Sequence, residues 1–241
     1  YRLEREELEL AQTLSHALSY KNKPCCLVDG TIIFWPLESK SPDVKKYFLE
    51  RYIFYLEELY KHKILVAGYI SMPKSRELVS LIKLGLCRFT VADCIRCHSQ
   101  FSDFPCKQID RFLDTSIARF FLQSNQRTTV FYSTSKIVDE YPKHLRPAFV
   151  YCNVGSEIVR LEMPSWVAQN KQYLDRVCSI AIDQAKKGQG YPVCLAEAHE
   201  QAVVKGPDRD FFYHLLCKIG LEKNRSVRFS EKSMKKRRIG V

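Results

Sequence analysis

Leucines 3, 8, 10, 14 and 18 recur at roughly helical spacing among charged residues, and a stripe of that period predicts an amphipathic helix over 2–19. Cys25–Val28 then makes a short apolar run closed by Asp29-Gly30, and Thr31–Trp35 follows with β-branched and aromatic residues. That pattern predicts a hairpin with Asp29 at its turn. Val44, Tyr47, Phe48, Tyr52, Tyr55, Leu56, Leu59 and Tyr60 mark one face of a long helix over 43–62. The strand predicted at Ile64–Ile70 follows it closely, giving a β-α-β rhythm.

Ser71 and Pro73 open a further helix carrying Leu78, Leu81 and Ile82, with Glu77 one turn inside it; Pro is tolerated in a first turn because its missing N–H would be unpaired there. Residues 87–110 show neither period and hold Cys87, Cys94, Cys97, His98 and Cys106, so they read as a surface insertion. Asp114 stands at an N-cap position before Ile117, Phe120, Phe121 and Leu122. Strands are expected at 128–132, 147–153 and 157–163, the last two joined as a hairpin across Val154-Gly155-Ser156. Helices are expected at 170–187, 195–204 and 207–219, the last stopped by Gly220.

No internal repeat or linker divides the chain, which predicts one α/β domain with a mixed central sheet of about five strands flanked by helices. The expected bounds are an N-terminal helical arm at 1–24, cut short at Tyr1, a main domain at 25–222 with the Cys-rich insertion near 87–110, and a basic tail at 223–241. Lys235-Lys236-Arg237-Arg238 lies in that tail.

Hydrophobic residues make up 46% of the 241 and charged residues 27%, the proportions of a globular protein and not of a disordered or collagen-like one. No run approaches the roughly 18 apolar residues that cross a bilayer, and the first ten residues lack a signal-peptide core, so the expected location is the cytoplasm, away from membranes. The net charge of +11 favours a polyanionic partner such as nucleic acid, without separating DNA from RNA or anionic lipid. Ten cysteines with a single Cys-x-x-Cys pair read as reduced thiols, and Cys25, Cys26, Cys152, Cys178 and Cys217 sit in apolar runs where Cys packs as a small hydrophobe.

Asp29 would sit at the exposed end of a buried strand, held rigidly enough to reach a metal, although Asp-Gly is also simply a favoured turn. Glu77 and Asp114 each begin a helix beside the sheet, and with Asp29 they would form an oxygen-rich site for Mg²⁺ or Mn²⁺. Each has a plainer reading, in a helix dipole or a cap. His199 shares a helix face with Leu195 and Val203, which points the imidazole inward, as a core residue, a metal ligand or a proton-transfer group. Arg127 is a candidate phosphate clamp or a surface salt bridge, and Lys74 and Arg76 are weaker candidates for DNA-backbone contact. Cys94, Cys97 and Cys106 have the spacing of one end of a structural zinc knuckle, the less favoured reading of these thiols.

Leu27-Val28-Asp29-Gly30-Thr31, Ala67-Gly68-Tyr69-Ile70-Ser71-Met72-Pro73-Lys74-Ser75, Gln126-Arg127-Thr128 and Gly190-Tyr191-Pro192-Val193-Cys194-Leu195-Ala196-Glu197-Ala198-His199-Glu200 occur in this order. The set resembles the NurA family of DNA-repair nucleases from about residue 25 to about 217, most specifically in the Gly-Tyr-Pro segment before Ala-His. The resemblance implies an RNase H-like core and a divalent-metal nuclease, usually Mn²⁺-dependent with two ions per site. It implies 5′–3′ exonuclease and single-strand endonuclease activity in resection of double-strand breaks, a homodimer, and a hexameric HerA-type ATPase as partner.

Residue by residue, the resemblance matches Asp29 to the first acidic motif, Glu77 to the second acidic position and Asp114 to the third, with Asp93 and Asp110 competing for the third because of the Cys-rich stretch. Tyr191 and His199 match the C-terminal Tyr and His. It implies that Asp29, Glu77, Asp114 and His199 hold metal and that Tyr191 orients a scissile phosphate or the attacking water. Two rivals remain open: an adaptor that binds DNA or the ATPase without cutting, and a nuclease for RNA-containing substrates, which would have to recognise the 2′-OH.

Overall fold

Leu65–Ile70 (β2) reads Leu-Val-Ala-Gly-Tyr-Ile and is buried along almost all of its length, as a strand covered on both faces must be. The computed structural model describes residues 2–22, 24–100 and 104–202, with six further positions between 211 and 222. β2 pairs in parallel with Cys25–Asp29 (β1), setting Val28 opposite Gly68 and Asp29 opposite Tyr69. On its other side it runs antiparallel to Ile158–Pro164 (β5), setting Gly68 opposite Glu162. Pro147–Asn153 (β4) and the short Phe131–Tyr132 (β3) complete a mixed sheet of order β1-β2-β5-β4-β3. The parallel pair is joined by a helix, Pro42–Lys61 (α2), because parallel neighbours need a long crossover.

The three long helices form where their apolar stripes predict. In Arg2–Ser19 (α1), Leu10, Leu14 and Ala17 are buried and the helix packs on α2, so the arm joins the core. α2 turns Leu49, Tyr52, Leu56 and Leu59 inward. Lys171–Lys187 (α7) buries Leu174, Val177, Cys178, Ala181 and Ala185, and its first turn is capped by Asn170, whose side-chain oxygen accepts the Gln172 and Tyr173 N–H groups. Ser165–Ala168 (α6) turns the corner before it, and Trp166 is buried there between Tyr60 and Tyr173. Val193–Ala202 (α8) ends the continuously described chain. The chain divides into two compact units, residues 1–195 and 196–241.

Several expectations are corrected. Thr31–Trp35 forms no strand; it folds into a loop because the Glu162 carboxylate accepts from Thr31 Oγ1 and Ile32 N, while Thr31 Oγ1 in turn accepts from Ile33 N and Trp35 Nε1. The next helix, Glu77–Gly85 (α3), starts after Ser71–Arg76 and not within it. Met72 has φ +45°, and Glu157 pins this turn by accepting from Ser71 Oγ and Met72 N. The insertion contains Cys94–Gln100 (α4) and a 3-10 turn at Pro105–Ile109. The expected strand at 128–132 shrinks to β3, preceded by a single bridge between Arg127 and Cys152. The helix expected at 207–219 lies largely outside the described residues, and the basic tail at 223–241, with Cys217, lies wholly outside them.

Asp114 is the first residue of Asp114–Phe121 (α5), yet its carboxylate caps α3 instead. Oδ1 accepts from Val79 N at 2.8 Å, and Oδ2 accepts from Leu78 N, Ser75 Oγ and the Tyr151 hydroxyl. Asp114→Ala is therefore expected to cost about 2–4 kcal/mol, since two helix N–H groups lose their cap and a buried phenol loses its acceptor. A lower urea midpoint with unchanged m-value is the corresponding observation.

All the described cysteines are free thiols. Burial pushes Cys25 up to about 12 and Cys26 up to about 11, as expected of packed and unreactive side chains.

Candidate active site at the end of strand β1

Asp29 is the last residue of β1 and is exposed. Its Oδ1 accepts the Tyr191 hydroxyl at 2.8 Å, across a sequence separation that only the fold closes. Tyr191 is delivered by the tight turn after α7. A side chain at Gly188 would meet the Tyr191 carbonyl at 1.9 Å, and Gly190 has φ +128°, so the turn requires both glycines. The Tyr191 ring meets Tyr69 edge-on, with centroids 5.7 Å apart. Burial, then the hydrogen bond and negative charge of Asp29, push the Tyr191 phenol well above its ordinary value. Tyr191 is thus a protonated donor at neutral pH, and not a base.

The loop after Asp29 is held from below. Gly30 N–H bonds to the Tyr69 carbonyl, and a side chain at Gly68 would lie 2.3 Å from the Gly30 carbonyl, so the loop can cross β2 only where the side chain is absent. Glu162, 2% exposed, reaches up from β5 to Thr31 Oγ1 at 2.5 Å and to Ile32 N at 3.2 Å. Arg160 donates from Nε to Glu162 at 2.9 Å and from a terminal nitrogen to Glu77 at 2.7 Å. Its guanidinium lies 3.7 Å from the centroid of Phe149. Burial opposes the Arg160 charge, but Glu162 and Glu77 outweigh it and hold its pKa above the ordinary value. Sequence reasoning missed Arg160 and Glu162. The signal was available: two charges at alternate positions of an apolar strand share one face, and a buried charge is rare unless paired.

Glu77 has one oxygen on Arg160 and its other, Oε2, buried without a partner. Asp114 is 0% exposed and its oxygens accept four hydrogen bonds. His199, on α8, lies in the second unit and is exposed. Arg127 pairs with Asp175 at 2.8 Å, and Arg76 donates to the Asp110 carbonyl. Lys74 is exposed and makes no ion pair among the described residues. Asp93 accepts from Arg96 N at the start of α4, and Asp110 pairs with Lys83.

Among the described residues no group of three or more His, Cys, Asp or Glu is arranged to hold a metal ion. Asp29 fits the donor chemistry of a hard cation, being an exposed carboxylate engaged by one neutral phenol. The unpartnered oxygen of Glu77 is buried on the sheet face that carries Glu162, opposite to the face of Asp29, and Asp114 does not fit, because four donors already occupy it. Cys97 is buried, and its thiol is pushed up by burial and then by Cys106, Cys87 and Cys94, but these thiols form no ready zinc cage.

Among the described residues no helix is long and apolar enough to cross a membrane. A family model described as the NurA domain matches residues 1–204. No curated protein and no solved structure matches the chain.

Proposed function

Because the chain belongs to the NurA family, whose domain carries a nuclease function in DNA repair, we propose that it is a divalent-metal-dependent DNA nuclease whose reaction centre lies at the Asp29–Tyr191 pair. The carrying observation is the exposed Asp29 carboxylate, fixed at a strand end by a phenol that stays protonated.

The chain's own residues do the positioning. Glu162 ties down Thr31 and Ile32, so the backbone immediately after Asp29 cannot swing, and Tyr191 fixes one carboxylate oxygen. The other oxygen accepts no hydrogen bond among the described residues and is available as a metal donor. Mn²⁺ or Mg²⁺ held at Asp29 would supply Lewis-acid stabilisation of a phosphate oxygen. The family's two-ion arrangement calls for further donors, and the resemblance assigns that role to Glu77 and His199; Asp114 serves better as the positioning group for α3. The reading extends to the family's setting: resection of broken DNA ends in the cytoplasm by a homodimer, beside a hexameric HerA-type ATPase that moves the duplex. The net charge of +11 supports a polyanionic substrate.

The test is incubation with end-labelled linear DNA, single- and double-stranded, and with RNA and an RNA–DNA hybrid of the same sequence, in Mn²⁺, with and without the ATPase. Shortening of DNA from one end together with internal cuts in single strands is expected. Cleavage of the RNA-containing substrates alone would support the RNA-directed rival, and DNA binding with no cutting under any condition would support the adaptor.

A further inference from the structure

Beside the hairpin joining β4 and β5, a groove of about 580 Å³ lies between the Met72–Lys74 turn and α5. Its only lining carboxylate, Glu157, is consumed by Ser71 and by the Met72 amide. Lys74 and Arg119, which line the same groove, are exposed and make no ion pair among the described residues. With two cations against the single Glu157 carboxylate the groove is net positive, and the hydroxyls of Thr115 and Ser116 offer further donors to phosphate oxygens.

Phe120 stands one helical turn beyond Ser116, on the same side of α5. It is 84% exposed and Phe121 is 73% exposed, with their rings edge-to-face at 5.2 Å. Two bare phenyl rings at the end of the helix that also carries Arg119 make a surface on which unpaired bases stack while phosphates meet the cations of the groove. A duplex, whose base faces are hidden in its own stack, cannot use the rings. The groove adjoins the turn that presents Tyr191: its Ser156 donates to the Gly190 carbonyl at 3.5 Å, and Gly190 precedes the tyrosine that holds Asp29.

We propose that Lys74, Arg119, Phe120 and Phe121 form a binding track for single-stranded DNA that feeds the Asp29–Tyr191 pair. The track rests on the nuclease reading and deepens it by specifying the form in which DNA is held. Charge favours this occupant over a protein partner, because a protein docking face would leave two unpaired cations to be neutralised or desolvated.

The experiment measures binding of the full chain to fluorescein-labelled oligo(dT), and to a duplex of equal length, by fluorescence anisotropy in EDTA. The Phe120→Ala/Phe121→Ala double variant is expected to weaken single-strand binding by about tenfold or more, from lost stacking, with duplex binding unchanged. Arg119→Gln is expected to weaken both and to flatten the single-strand salt slope by about 0.7, one phosphate contact. Because both phenylalanines are exposed, circular dichroism of the variants should match wild type. Unchanged single-strand affinity in the double variant overturns the track. So does equal loss on both DNAs, or a changed oligomeric state with affinity intact, which would mark a protein-docking face. Binding needs no cleavage, so a chain that binds as expected but never cuts defeats the nuclease reading alone, and one that cuts normally with both phenylalanines removed and binding intact defeats the track alone.

Discussion

Asp29→Asn is expected to remove strand cleavage while leaving the protein folded. Asn has nearly the same shape and its amide oxygen still accepts the Tyr191 hydroxyl, so the turn that presents Tyr191 keeps its contact. The site is exposed at a strand end, where a substitution shifts stability by about 0.5 kcal/mol or less. What is lost is the negative charge that a divalent cation needs. Removing one preorganised electrostatic contact to a transition state slows an enzyme by about 10²–10³-fold, and a metal-holding carboxylate should lie at or above that range. Tyr191→Phe removes only the donor that fixes the carboxylate, so its loss should be the smaller of the two. Initial rates on labelled single-stranded DNA, with thermal melts of the same preparations, give both quantities. A normal rate in Asp29→Asn would move the reaction centre elsewhere.

Glu162→Ala should be among the most destabilising single changes in the molecule, by about 3–5 kcal/mol, the cost of breaking a buried ion pair. Glu162 and Arg160 have side chains only 2% and 3% exposed. Removing the carboxylate leaves the guanidinium with Glu77 alone and strands two donors, Thr31 Oγ1 and Ile32 N, above the sheet. The loop next to Asp29 loses its anchor as well, so cleavage should fall even at temperatures where the variant is folded. Replacing the pair together, Arg160→Met with Glu162→Leu, should recover most of the stability, because apolar packing replaces charges that need partners. Urea titrations of the single and double variants measure this. A Glu162→Ala midpoint equal to wild type would mean that the network contributes nothing to the fold.

The parts of the fold that were legible carry their signals locally. α2 and α7 have long apolar stripes, β2 is an uninterrupted apolar run, and the β4–β5 hairpin announces itself by Val154-Gly155-Ser156. The misread parts are decided by distant residues. Thr31–Trp35 has strand-forming side chains, but its hydrogen bonds go to a carboxylate 131 positions away, and tertiary context overrides propensity. Asp114 reads as a cap and is one, though for the helix before its own. Asp29 was visible as a carboxylate closing an apolar strand. Its tyrosine partner, 162 positions on, was reachable only through the family resemblance. The Arg160–Glu162 bridge sits between the apolar residues of β5, and only the pairing of β5 with β2 brings it under the loop that follows Asp29.

At the centre stands metal-dependent cutting of DNA at Asp29. It is tested most directly by following cleavage of a labelled single strand in Mn²⁺, adding EDTA during the reaction, then restoring Mn²⁺ in excess, with wild type and Asp29→Asn side by side. Wild type should cut, stop and resume, while the variant stays silent throughout. Cutting that continues in EDTA, or that the variant sustains at the wild-type rate, would contradict the account.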